Sequence, residues 1–563
     1  MTPNDLIAAF EVLADAPDGV KRLRELVLSL AVRGKLVAQD PADESATGLL
    51  NQIAAERLRG VNSTKAKQSL LWVPVSGDEV PFDLPSAWVW ARVGWLGPTQ
   101  TGATPKVDAT ALEGPRIPFV RPNDIHWAGV DSDRELISRS TAEATRRIAK
   151  PGAVLMVCIG TIGKTARCIT EATFNQQINA VQVLLASSEF IAWAFRSPFF
   201  QRACWSAASA TTLSILNKGK WEALPVPLPP LAEQHRIVAR VDELMGLLDR
   251  LEAARATRDT VRRAARDAAL ADLRDAPDAE SVEAAWGRIA RQMEDLFTDP
   301  EDVGPLRQAV LSLAVRGKLV PQDAGDEPAS VLMRKIAAHF PQPTKGRRAR
   351  EEVGSADSGE VEPPPGWASA PLGSIAQVIR GITFPASAKN RQPGEGLVPC
   401  LRTTNVQNRI TWDDLLYVST EHVSRVEQYL RVDDIVMSMA NSRELVGKVA
   451  LNDRDTEGVT FGGFLAVIRP VLVVPRFLMA VLRTTTAREG LIDSATQTTN
   501  IANISLGRLN PFIVPLPPLA EQHRIVAKVD ALMALCDALE ARLTAARALH
   551  GQFAAAAVHH LDA

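Results

Sequence analysis

Leu23–Val37 reads LRELVLSLAVRGKLV and Leu306–Val320 reads LRQAVLSLAVRGKLV, so thirteen of fifteen positions are identical. A second block, Pro227–Ala253 (PLPPLAEQHRIVARVDELMGLLDRLEA), returns at Pro515–Ala541 (PLPPLAEQHRIVAKVDALMALCDALEA) with 22 of 27 positions kept. The offsets are 283 and 288, and the blocks lie about 200 residues apart, so a whole half of the chain is written twice. Weaker echoes fall between them in the same order. Pro17 matches Pro300, Asp43-Glu44 matches Asp326-Glu327, and Ile117-Pro118-x-x-Arg121 matches Val398-Pro399-x-x-Arg402. Gly163-Lys164 then matches Gly447-Lys448, Thr173-Phe174 matches Thr460-Phe461, and Thr211-Thr212 matches Thr499-Asn500. A repeat of this length is a domain with connecting elements, not a solenoid unit. The flanking blocks are near-copies, whereas Pro85–Pro225 and Gly366–Ile513 have diverged, as expected if the flanks meet one kind of partner twice and the interiors meet different ones.

Each second block opens Leu-Pro-Pro-Leu-Ala-Glu-Gln, with proline where a helix can begin without losing a hydrogen bond and an acid in its first turn. From there Ile237, Val241, Leu244, Leu248 and Leu251 recur at heptad spacing, as do Ile525, Val529, Leu532, Cys536, Leu539 and Leu543. The pattern predicts two long helices, the first reaching about Leu273, whose apolar seams most simply pair with each other; the other reading is that each seam packs on its own domain. The first block predicts a helix over Val20–Val32 closed by Gly34, with further helices at Ala46–Leu58 and Ala329–Ala338. Polar linkers follow at Gly60–Ser69 and Pro341–Pro365. Short β-branched runs at Ala153–Ile159, Ala180–Leu185, Asp434–Met439 and Leu465–Ile468 predict mixed α/β interiors.

With 563 residues, 46% of them hydrophobic, the chain can bury three or four cores, which excludes disorder and small disulfide scaffolds. The five cysteines (158, 168, 204, 400 and 536) form no CxxC pair and read as core filler in a reducing compartment. No apolar run approaches the roughly 20 residues that cross a bilayer, and a cytoplasmic location without membrane contact is expected.

The net charge of -2 conceals a division. Residues 85–225 carry 15 Lys+Arg against 10 Asp+Glu, and residues 366–513 carry 15 against 13, which leaves 33 against 42 elsewhere. Basic interiors on an acidic helical frame suit phosphate-binding modules on a protein-binding scaffold. Polar clusters in the interiors supply candidate base and phosphate contacts, since Arg reads guanine edges, Asn and Gln read adenine, and Thr and Lys hold phosphates. In the first half these are Thr101, Gly102, Thr104 and Lys106; Arg121 and Asn123; Lys164; Gln176 and Gln177; Thr211 and Thr212; and Asn217, Lys218 and Lys220. In the second they are Arg380, Lys389, Arg391, Arg402, Asn405, Arg443, Lys448, Thr498, Thr499 and Asn500.

Gly160-Thr-Ile-Gly-Lys-Thr165 is not a phosphate-binding P-loop, because Cys158 stands where the first glycine is needed, and Lys164 is better read as the tip of a strand-to-strand turn. Asn510-Pro511-Phe512 lacks the second proline of a methyltransferase base-holding element and reads as a strand leaving the domain. No Ser-His-Asp, paired-carboxylate or metal-ligand arrangement recurs in both halves, so no catalytic or metal residue is assigned. His235 and His523 sit one turn into the long helices, where contact with a partner or the adjoining domain is expected.

The twice-used PLPPLAEQHRIV, the twice-used LSLAVRGKLV, Pro151-Gly-Ala-Val-Leu-Met with Gly160-Thr-Ile-Gly-Lys164, and Gly-x-Thr-Pro at residues 102–105 together resemble the specificity subunit of type I restriction-modification systems across essentially the full chain. The second half departs from the pattern in lacking Gly-Thr-Ile-Gly-Lys and Gly-x-Thr-Pro. The resemblance implies an α/β multidomain protein with two mixed α/β target recognition domains joined by two long helices pairing as an antiparallel coiled coil. The corresponding segments are an N-terminal helical region (1–70), a first recognition domain (71–226), a central long helix (227–275), a second helical region (276–345), a second recognition domain (346–514) and a C-terminal long helix (515–563). It further implies double-stranded DNA as ligand, read as a split site. Two adenine-methylating modification subunits would carry S-adenosylmethionine, restriction subunits would use ATP and Mg²⁺, and this chain would hold no cofactor and no active site. The competing reading is a non-catalytic two-domain protein-interaction scaffold, suggested by the near-neutral charge and only two tyrosines.

Overall fold

A computed structural model of the chain describes residues 13–59, 75, 79–105, 114–127, 129–210, 213–340, 363–442, 445–492 and 502–562. They form two compact units, one running to Arg258 and taking in Arg547 onward, the other spanning Asp259–Ala546.

In the first unit helices Gly19–Val32 and Ala46–Leu58 precede a mixed α/β domain. The domain opens and closes on one antiparallel strand pair, Val89–Arg92 with Pro225–Leu228. Between them lies an antiparallel sheet in the order Thr99–Thr101, Ile178–Gln182, Ala153–Val157, Thr165–Arg167. A second sheet runs Leu136–Ser138, Arg116–Val120, Ala172–Phe174, Ile148–Ala149, with one parallel pair in the middle. Val120, Leu155, Phe174 and Ile178 fill a core shared by the two sheets. Helices Ser188–Arg196 and Pro198–Ala207 bury Phe190, Phe195 and Phe200 in a larger core with the opening helix.

The second unit repeats this topology. Ala368–Pro371 pairs with Ile513–Leu516, so the strand leaving the domain begins at Ile513, and Asn510-Pro511-Phe512, read as that strand, is instead the turn that leads into it. Ala376–Arg380, Leu465–Pro470, Ile435–Ser438 and Val449–Leu451 form the antiparallel sheet in the same order. Leu416–Ser419, Leu397–Leu401 and Thr460–Phe461 form the second. The echo Thr173-Phe174 and Thr460-Phe461 acquires a reason here. Each threonine hydroxyl donates to a carbonyl across the sheet edge, Arg147 O and Gln428 O, both at 2.8 Å, and each phenylalanine is fully buried.

The long helices are Leu231–Asp275 and Leu519–Asp562. Each is fastened by the third and fourth residues after the prolines. Glu233 is buried, and its carboxylate accepts from Trp88 Nε1 at 2.9 Å and from Gln39 Nε2 at 2.6 Å. Gln39 Nε2 also donates to Gly34 O. Gln234 accepts from Ser187 N at 2.8 Å and donates to Pro229 O at 2.8 Å. Every contact has its copy. Glu521 accepts from Trp367 Nε1 at 2.9 Å and Gln322 Nε2 at 2.7 Å, while Gln522 accepts from Val474 N at 2.9 Å and donates to Pro517 O at 3.0 Å. Beside each, Arg236 pairs with Asp43 at 2.6 Å and Arg524 with Asp326 at 2.7 Å. His235 and His523 are exposed.

The repeated Arg-Gly-Lys belongs to the same joint. Gly34 and Gly317 both have φ +68, and a Cβ there would meet Pro85 Cγ at 2.5 Å and Pro364 Cγ at 2.7 Å respectively. Only glycine both ends the helix in the left-handed region and leaves room for the tryptophan that binds the buried glutamate.

The heptad residues require a correction. Ile237, Val241, Leu244 and Leu248 are buried with Leu23, Leu26 and Leu30 of the same unit, and Leu251 packs against that core. Ile525, Val529, Leu532, Cys536 and Leu539 are likewise buried with Leu306, Val310 and Leu313. The stripe assigned to a helix-to-helix seam therefore anchors each helix on its own unit. A period of 3.5 marks a helix face but does not say what covers it, and the leucine-rich helix of the first repeated block supplies the cover. Arg24 pairs with Asp249 and Glu252, and Arg307 with Asp537 and Glu540, along the edges of these contacts.

All five cysteines are buried and free, in keeping with core filler. Burial pushes the thiols of Cys158, Cys168 and Cys400 up to about 12 and that of Cys536 up to about 11. Among the described residues no helix is long and apolar enough to cross a membrane.

Removing either buried carboxylate strands a tryptophan N–H, so Glu233→Ala and Glu521→Ala should each lower stability by about 1–3 kcal/mol. Burial holds both carboxyls above the usual Glu value, against the opposing effect of the Trp and Gln hydrogen bonds. Their contribution to stability is therefore fully present below the unfolded-state value and declines as pH rises through the raised one. Urea unfolding of wild type and Glu233→Ala across that range should show the difference between them narrowing as pH rises.

Candidate nucleic-acid interface

Four loops of the first domain line one open cleft of about 890 Å³, bordered by Thr104, Arg121, Asn123, Gly160, Asn175 and Gln177 among others. Each is positioned by backbone geometry that the second domain reproduces.

The first loop follows Thr99–Thr101. Gly102 N donates to Ile178 O at 3.0 Å and Ala103 N to Phe174 O at 2.9 Å. A Cβ on Gly102 would lie 2.2 Å from the carbonyl oxygens of both Phe174 and Asn175. The second domain has Gly381 N donating to Leu465 O at 3.1 Å and Ile382 N to Phe461 O at 2.8 Å, with the same crowding around Gly381. Gly102-Ala-Thr104-Pro thus corresponds to Gly381-Ile-Thr383-Phe384. The second half keeps the glycine and threonine of a motif it was expected to lack, and changes only the proline.

The second loop is a single tight turn. Asp124 Oδ2 accepts from Arg121 N at 2.8 Å, and the buried Asp124 also pairs with Arg134 at 3.4 Å. In the second domain Asn405 Oδ1 accepts from Arg402 N at 2.9 Å, and its amide donates to Thr411 O and Asp413 O, each at 3.0 Å. Asn405 is buried, so this candidate base reader instead holds the turn. Arg121 is exposed, against Glu135 at 2.8 Å and above the Phe119 ring, whereas Arg402 is half-buried against Asp414.

The third loop is the turn between antiparallel strands that the Gly-Lys reading expected. Gly163 N donates to Val157 O at 3.0 Å and Val157 N to Lys164 O at 2.8 Å; Gly447 and Ser438 make the same pair with Lys448 at 2.8 and 2.9 Å. Gly163 has φ +99 and Gly447 φ +77. Side chains of the helical layer clamp this turn. Gln201 Nε2 donates to Gly163 O at 3.0 Å, and at the equivalent place Arg488 Nε donates to Val446 O at 2.9 Å. Arg196 donates to Thr165 O at 2.8 Å and Arg483 to Val449 O at 3.3 Å. Burial lowers the pKa of both arginines, that of Arg196 to about 10, and the Arg196 guanidinium lies 5.0 Å from the Trp127 ring and 4.9 Å from that of Trp193. No sequence signal singled out these four clamps. Lys164 is exposed, whereas Lys448 donates to Gln407 Oε1 at 2.9 Å.

The fourth loop carries Asn175, Gln176 and Gln177. Asn175 Oδ1 accepts from Gln177 N at 3.0 Å, its amide donates to Gln177 Oε1 at 3.0 Å, and Gln176 hydrogen-bonds with Thr104. Gly462, Gly463 and Phe464 take these places in the second domain.

Other candidates serve the local fold. The Thr101 hydroxyl donates to Asn179 Oδ1 at 2.8 Å. Asn217 caps the helix Lys218–Glu222 by accepting from Lys220 N at 2.9 Å. Lys218 pairs with Glu222 at 3.2 Å, and Lys220 donates to Ala207 O at 3.0 Å. Arg380, Lys389 and Arg391 are exposed. Lys106, Thr211, Thr212, Arg443, Thr498, Thr499 and Asn500 lie outside the described residues.

One scaffold used twice, with four matched loops whose side chains differ, defines a tandem recognition-domain protein. Residues 85–257 and 364–546 each match the family described as type I restriction modification DNA specificity domain. The chain belongs to that family, as a type I restriction-modification specificity subunit with two recognition domains. It is 30% identical to the EcoAI specificity subunit of Escherichia coli, over 93% of this chain and 90% of that one. It is 28% identical to the Escherichia coli EcoEI specificity subunit, over 94% and 91%. A chain solved for complex assembly and conformational transition of the type I restriction-modification system shares the fold, with a TM-score of 0.51 and 20% identity over 86% of this chain and 99% of that one.

The loop geometry separates framework from contact residues. Gly102→Ala forces a carbon against two carbonyls and should lower stability by about 1–3 kcal/mol. Lys164→Ala, at an exposed position, should stay within about 0.5 kcal/mol of wild type in the same denaturant titration.

Proposed function

We propose that this chain reads a bipartite DNA sequence, each domain recognising one half through its four-loop face, and that it performs no catalysis itself. The observation carrying this is the pairing of a duplicated joint with unlike loop faces. Glu233 and Glu521 are held by the same kinds of partner, while the backbone positions of Asn175, Gln176 and Gln177 in one domain carry Gly462, Gly463 and Phe464 in the other. A protein selected to grip two copies of one ligand would keep both faces alike.

By family likeness the complex includes two modification subunits that bind S-adenosylmethionine and methylate adenine, and through them restriction subunits using ATP and Mg²⁺, all in the cytoplasm. The near-neutral chain needs such partners to add phosphate contacts, because counterion release dominates affinity for DNA. The long helices, of 45 and 44 residues, supply the spacer as an antiparallel pair. A stiff spacer favours half-sites about one helical turn, ~34 Å, apart.

Replacing residues 85–225 with the matching segment of a related chain should change one half of the sequence enriched from a random DNA pool by the assembled complex, leaving the other half and the gap unchanged. A change in both halves contradicts independent reading. In the same complex Lys164→Ala should weaken binding to all sequences alike and reduce the salt slope by about one.

A further inference from the structure

We propose that Phe464 reads a thymine methyl group in the half-site of the second domain; this deepens the DNA-reading assignment and rests on it. Phe464 is 68% exposed, although the backbone on either side is fixed. Its carbonyl accepts from Met439 N at 2.8 Å, and the next residue, Leu465, is fully buried in the sheet. In the first domain the carbonyl of Gln177 accepts from Cys158 N at 2.8 Å, and Ile178 is the fully buried neighbour. Phe464 and Gln177 therefore occupy one backbone position, and Gln177 lines the cleft of the first domain.

The loop is built to present that position. A Cβ on Gly463 would lie 3.2 Å from Ile382 O and 3.3 Å from Thr383 Oγ1, so this loop and the Gly381-Ile-Thr383 loop lie side by side. A phenyl ring left in water forgoes the free-energy gain of burial. On a rigid loop, among polar contact positions, such a ring matches an apolar feature of the ligand.

The major groove offers one such feature, the C5-methyl of thymine, whereas a glutamine amide matches the N6 donor and N7 acceptor of adenine. The same locus in the two domains then carries the two side-chain types suited to the two bases of an A·T pair. The divergence of Asn175-Gln176-Gln177 from Gly462-Gly463-Phe464 becomes a change of base read rather than a loss of contact.

The test uses the full chain assembled with its modification subunits and a target selected from random DNA. Each thymine of the half-site read by the second domain is replaced in turn by deoxyuridine, which removes only the methyl. Wild type should lose about four-fold in affinity at one position, as expected for one buried methyl-sized group. Phe464→Ala should bind more weakly, show no penalty at that position, unfold at the same temperature as wild type and keep full selectivity for the other half-site. An identical deoxyuridine profile in wild type and Phe464→Ala overturns the proposal, as does a half-site in which no thymine methyl matters. If the complex enriches no bipartite sequence at all, the DNA-reading assignment falls, and this inference with it.

Discussion

A carboxylate sealed against a tryptophan N–H at the start of each long helix is the contact on which the architecture depends. It ties three segments distant in sequence, namely the end of the leucine-rich helix through Gln39 and Gly34, the opening of the recognition domain through Trp88, and the long helix through Glu233. A buried acid is costly unless its lone pairs are satisfied, so the arrangement tolerates little movement and sets the angle at which helix and domain meet. Gln234 adds a second lock by accepting from Ser187 N at the start of the first domain's helical layer. The same locks close on Trp367, Gln322 and Val474 in the second unit.

On this fixed joint the loops are free to change. Backbone hydrogen bonds of the Gly-x-Thr loop, the tight turn and the Gly-Lys turn agree between domains to within a few tenths of an ångström, although few side chains are shared. The turn keeps its shape whether Asp124 or Asn405 caps it, because the requirement is an acceptor for one backbone N–H. The Gly-Lys turn is clamped equally by Gln201 or Arg488, because the requirement there is a donor for a backbone carbonyl. Recognition chemistry can therefore diverge without altering the frame that places it.

Much of this was legible in the sequence. The duplication exposed the two-unit plan, and the helix starting after Pro-Pro and the helix Ala46–Leu58 follow from local rules at the places observed. What was not legible depended on partners remote in sequence. The heptad stripe from Ile237 to Leu251 marked a buried face without naming its cover, which is the helix Gly19–Val32. Asn405 and Asn217 carry the polarity of base readers, and only their hydrogen bonds reveal them as caps. Gly381-Ile-Thr383-Phe384 lacks the proline of Gly102-Ala-Thr104-Pro, and only the same carbonyl crowding around its glycine identifies it as the copy of that loop. Glu233 and Glu521 carry the local signal of an acid in a first turn and nothing more, although identity extending across the non-heptad positions of Pro227–Ala253 points beyond helix formation.

The central claim is that one duplicated frame holds two unlike DNA-reading faces at a constant separation. Mapping of methylated adenines in the genome of cells carrying this chain with its modification subunits tests it most directly. The account predicts a single motif with two different specified halves separated by a gap of constant length. A contiguous motif, two identical halves, or a gap that varies from site to site would contradict it.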